Sequence, residues 1–84
     1  MEKHIYGLVG RVNVSDIPIM ERGRFAIPLN IPYDDNDLAI AKAERIFWEK
    51  VSKLNSNQSI MGYVHKDGTL IHTFYECCKR VRET

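Results

Sequence analysis

His65, His72, Cys77 and Cys78 are the side chains best suited to bond-making chemistry, a thiol as nucleophile with an imidazole as its base. Such a pair must lie within hydrogen-bond reach. His72 precedes the two cysteines by five and six residues in one apolar run, and residues so spaced on a strand stand roughly 16–20 Å apart, so Cys-His catalysis is not expected. Ser15, Ser52, Ser56 and Ser59 sit at turn signals or helix ends without a glycine-flanked elbow that would activate a hydroxyl. The histidines and cysteines lack the C-x₂-C or H-x₃-H spacing of a zinc site. The acidic run Asp34-Asp35-Asn36-Asp37 has neither the glycine nor the distal glutamate of a calcium-binding loop, and it stands where a helix start wants acceptors and negative charge. No glycine-rich loop precedes that helix, so no phosphate-binding signature is present. The expectation is a protein without catalytic residues, metal or small-molecule cofactor.

Binding chemistry remains. Tyr63, His65, His72 and Phe74 would share one face of a hairpin near the C-terminus, and Arg24 and Arg80, with Arg11, Arg22, Lys79 and Arg82, supply peripheral positive charge. Aromatic rings on a sheet face can stack bases while arginines meet phosphates. The same amphipathic rings bury area at low entropic cost against a protein. A formal net charge of +1 argues against a dedicated nucleic-acid binder driven by counterion release, so a protein partner or self-association comes first and nucleic acid second. The candidate binding residues are Tyr63, His65, His72, Phe74, Arg24 and Arg80.

These residues are positioned by a helix and the strands around it. In the segment from Asp37 to Leu54, Ile40, Ala43, Phe47, Val51 and Leu54 share one narrow arc flanked by Ile46 and Trp48, while Lys42, Arg45, Glu49 and Lys53 lie opposite. Asn55-Ser56-Asn57 is the expected stop. Ahead of the helix, apolar alternation from Ile5 to Val14 predicts a strand whose glycines, Gly7 and Gly10, imply that something approaches closely. A bend at Ser15-Asp16, a turn at Glu21 to Gly23 and the alternation Phe25, Ile27, Leu29, Ile31 predict a second strand. Ile19 would then face Phe25 and Ile17 would face Ile27, on an edge marked by Pro28.

After the helix, Asp67-Gly68 signals a type I′ hairpin turn. An unbroken register from that turn pairs Val64 with Ile71, Tyr63 with His72 and Met61 with Phe74. One face would carry Met61, Tyr63, His65, Leu70, His72 and Phe74, and the other Ile60, Val64, Ile71, Thr73, Tyr75 and Cys77. Gly62, Val64, Ile71 and Thr73 suit the side beneath the helix. The fold expected is α+β, in the order β-β-α-β-β, with one helix on one face of a roughly four-stranded antiparallel sheet.

With 84 residues, 44% hydrophobic and 27% charged, the chain has the composition and length of a single small domain spanning residues 1–84, its basic tail from about Lys79 fraying. No run approaches the length that crosses a bilayer, no signal-peptide pattern opens the chain, and adjacent Cys77 and Cys78 read as reduced thiols, which together suggest the cytoplasm. In size and in its lack of motifs the chain resembles the accessory proteins with which phages and mobile elements block host factors. That resemblance implies a small inhibitor or adaptor and carries no residue with it.

Overall fold

The acidic run starts the helix. In the computed structural model, which describes residues 4–14, 23–31, 34–54 and 58–77, Asp35 caps α1 (Asn36–Val51) with an extended backbone and a carboxylate that accepts the Leu38 amide hydrogen at 3.0 Å. Asp37 adds negative charge in the first turn, where the macrodipole favours it. The helix ends at Val51 with Ser52 as its C-cap, earlier than the expected Leu54. Lys53 and Leu54 donate instead to the carbonyls of Lys50 and Val51 at 3.1 and 3.0 Å, a tightened last turn. Asn55, Ser56 and Asn57 lie outside the described residues. Ala43 and Phe47 are buried as the periodicity required, and Ala39 joins them. Ile40, Ile46, Val51 and Leu54 are partly buried, and Trp48 is exposed.

Four strands form one antiparallel sheet in the order β2-β1-β3-β4: β1 (Tyr6–Val14), β2 (Gly23–Pro28), β3 (Gln58–Lys66) and β4 (Thr69–Cys77). The chain is therefore α+β in the order β-β-α-β-β. The helix lies against β1, β3 and β4 on one face. Pro28 ends an edge strand, where its missing N–H costs nothing. Phe25 lies opposite Gly10 and Ile27 opposite Leu8. Their anticipated neighbours Ile19 and Ile17, with Ser15, Asp16, Glu21 and Arg22, fall outside the described residues.

The Asp-Gly turn forms as its sequence demands, with φ of 53° at Asp67 and 84° at Gly68. Lys66 pairs with Thr69 and His65 with Leu70. Beyond them the expected register fails. A bulge between Val64 and His65 sets Val64 opposite His72, Tyr63 opposite Thr73, Gly62 opposite Phe74 and Met61 opposite Tyr75. One extra residue on one strand reverses the facing of everything beyond it. The gain is apolar burial: Ile71 and Phe74 both pack on the core, whereas the unbroken register would have placed Thr73 there and turned Phe74 outward.

The helix-side rows explain the mid-strand glycines. Phe25, Gly10, Gly62 and Phe74 lie side by side across the sheet. A Cβ at Gly10 would come within 2.0 Å of the Phe25 ring, and one at Gly62 within 3.1 Å of the Phe47 ring. Phe25 thus lies over Gly10, and Phe47 fills the space above Gly62 and stacks on Phe74 with ring centroids 4.9 Å apart. Tyr6, Leu8, Leu29, Ile31, Ile60 and Val64 complete the buried set.

Candidate functional site

Alternation along each strand fixes what the uncovered face presents. One row runs Arg24, Arg11, Met61, Tyr75; the next Ala26, Val9, Tyr63, Thr73; the next Pro28, Gly7, His65, Leu70. Ile5 continues the same alternation just ahead of β1. Six large apolar side chains are prominently exposed among the described residues, and four of them belong to this face: Ile5 (75%), Tyr75 (58%), Leu70 (50%) and Val9 (42%). The other two, Leu38 and Trp48, are on the helix. An open trough of about 320 Å³ runs over β1 and β2, its walls including Ile5, Gly7, Val9, Ala26, Pro28 and His65.

Charge on this face has one sign. Arg11 and Arg24 stand directly opposite each other on neighbouring strands, both exposed. Among the described residues no Asp or Glu occupies the open-face rows, Glu76 falling on the helix side opposite Ile60. Like charges directly opposite on a sheet are destabilising. The hydroxyl of Tyr63 donates to the Met61 sulfur, which holds both side chains along β3. Nδ1 of His65 is buried without a hydrogen-bond partner.

The bulge redistributes the expected binding residues. Tyr63, His65 and Arg24 do share the open face. His72 and Phe74 do not: both lie on the helix side, their rings 4.7 Å apart edge to face, with Phe74 also stacked on Phe47. Arg80 lies outside the described residues. Tyr75 and Cys77, expected under the helix, face outward. Tyr75, Val9 and Ile5 were missing from the anticipated set, although the shared alternation of Ile5, Val9 and Arg11 was visible in the sequence; Leu70 and Arg11 stand on the open face, Leu70 on the face expected for it and Arg11 among the arginines expected to supply charge. His72 and Cys77 fall on opposite faces, so they form no thiol and base pair.

A polar cluster closes the end of the sheet where the helix begins. The buried Tyr6 hydroxyl donates to Asp34 Oδ1 at 3.1 Å, with Asn36 Oδ1 at 3.3 Å, and the Lys66 ammonium donates to the same Asp34 oxygen. Asp67 accepts the Ile5 amide hydrogen at 2.9 Å and lies 2.5 Å from His4 Nδ1, while its own amide donates to the Ile5 carbonyl at 2.8 Å. Bonds from Lys66 and then Tyr6 hold the Asp34 carboxyl below its ordinary pKa, and Asp34 in turn raises Lys66. The Ile5 amide, then His4, lower Asp67. Burial, then the bond to Asp34, push the Tyr6 phenol up. Lys66 is the cation paired with Asp34, and His4 reaches both carboxylates, its Nε2 3.8 Å from Asp34 and its Nδ1 2.5 Å from Asp67; no group of three or more His, Cys, Asp or Glu able to hold a metal occurs among the described residues. This cluster ties strand ends to the helix start.

Among the described residues no helix is long and apolar enough to cross a membrane. The chain matches no family model, no curated protein and no solved structure.

Proposed function

We propose that the chain is a binding protein, an adaptor or inhibitor without catalysis of its own, whose working surface is the open face of the sheet and whose partner is another protein. One observation carries this reading: apolar side chains concentrate on the face the helix leaves uncovered, with Ile5, Val9, Leu70 and Tyr75 all exposed. With Tyr63 beside Val9 and Met61 beside Tyr75 on the same face, they make an apolar surface of the kind that marks interaction sites on small proteins. The free, exposed thiol of Cys77 supports a reducing setting such as the cytoplasm. Val9→Thr with Tyr75→Thr keeps strand propensity while removing apolar contact area. That double variant is expected to melt close to the parent, yet to lose the proteins that the parent captures from nuclease-treated lysate. Capture of the same proteins by both would end the proposal.

Nucleic acid is the second reading, favoured by the row Arg24, Arg11, Met61, Tyr75, which sets two arginines able to meet phosphates in line with an exposed ring. If it holds, oligo-dT binding weakens with salt, and Arg11→Ala and Arg24→Ala each flatten that dependence by about one counterion.

A further inference from the structure

We infer that the partner is a protein segment that pairs carboxylates with apolar side chains, the acidic part over Arg11 and Arg24 and the apolar part in the trough beside His65. This inference rests on the open face being the working surface and adds the chemistry of its occupant. The first argument is charge. Two arginines held opposite each other, on a face without Asp or Glu among the described residues, repel one another in the free protein. A partner carboxylate relieves that repulsion and gains charge-assisted, bidentate bonds from the guanidinium forks.

The second argument is the composition of the remaining face. Ile5, Val9, Ala26 and Pro28 are aliphatic, and the trough they help to line is overwhelmingly apolar, with the exposed Leu70 on the same face. Aliphatic walls suit Leu, Ile, Met or Phe side chains better than bases, which need aromatic planes to stack on. Two arginines also supply few phosphate contacts for affinity by counterion release.

The third argument is spacing. Arg11 and Gly7 stand four residues apart on β1, so the basic end and the middle of the trough are separated by about 13 Å. A partner strand spans that in about four residues, and a partner helix in about two and a half turns.

The test is selection from a random peptide library displayed on phage, followed by affinity measurement of the enriched peptides and of oligo-dT. The expected result is enrichment of peptides with Asp or Glu at one of these spacings from an apolar residue. Their affinity should fall roughly tenfold or more with Arg11→Glu or Arg24→Glu. It should also fall with Val9→Thr plus Tyr75→Thr, and stay unchanged with Arg45→Glu on the solvent side of the helix. Enriched peptides without acidic residues, still lost with Val9→Thr plus Tyr75→Thr, would overturn the inference and leave the working face standing. Peptides indifferent to both sets of variants would overturn both. No acidic peptide but arginine-dependent binding of oligo-dT would replace the protein segment with nucleic acid. No peptide at all, with a concentration-dependent dimer broken by Arg11→Glu in sedimentation, would make the occupant a second copy and equally overturn the inference.

Discussion

At Gly10 the absence of a side chain is what lets an edge-strand ring reach the sheet, since the Phe25 ring occupies the space a Cβ would need. Gly10→Ala should therefore cost about 1–3 kcal/mol, the range for overpacking a filled site. In a Phe25→Ala background the same change should cost markedly less, because the ring is gone. Denaturant melts of the four proteins in this cycle measure the coupling, and equal costs in both backgrounds would refute the account of Gly10. The polar cluster makes a prediction about pH. Asp34 and Asp67 have folded pKa values below their ordinary ones, so their stabilisation is complete above about pH 4 and is lost as pH falls through the folded values. Lys66 and Tyr6 are raised, so theirs is complete below about pH 10 and is lost as pH rises through the folded values. Asp34 takes part in both limbs. In melting curves across pH, Asp34→Asn should lower the plateau and make both the acid and the alkaline fall shallower, whereas unchanged limbs would contradict the assigned contacts.

At the scale of elements, the helix and the hairpin turn were legible because each is specified locally. Asp35 caps, Phe47 lies on the buried arc, and Asp67-Gly68 supplies two left-handed residues in sequence. Gly68→Val should cost roughly 1–2 kcal/mol, the penalty for a side chain in the left-handed region, despite the open space around that residue. Melting like the parent would argue against the turn. The bulge was not legible, because nothing near Ile71 marks an extra residue. It is decided by distant packing, where Phe74 meets Phe47 and Gly62 only if Ile71 is set aside from the ladder. Its consequence is that Phe74 is structural. Phe74→Ala should destabilise by about 2–4 kcal/mol, near or below the cost at a fully buried phenylalanine; a parent-like melting temperature would return Phe74 to the open face. The division of β1 was readable from its alternation, but that of β4 depended on a register that the turn sets for only two pairs.

Across the whole molecule, the two faces of one sheet have separate roles. The helix side holds the glycine-and-phenylalanine row and the buried apolar set. The open side is apolar without being buried, and its only formal charges among the described residues are Arg11 and Arg24. The six exposed large apolar side chains divide between these surfaces, with Ile5, Val9, Leu70 and Tyr75 on the open face and Leu38 and Trp48 on the helix. They are natural reporters of which surface a partner covers. Hydroxyl-radical footprinting of the free protein and of its complex with captured partner reads all six in one experiment. The account predicts that Ile5, Val9, Leu70 and Tyr75 lose reactivity in the complex while Leu38 and Trp48 keep it; protection of Leu38 and Trp48, with the four open-face residues unchanged, would contradict it.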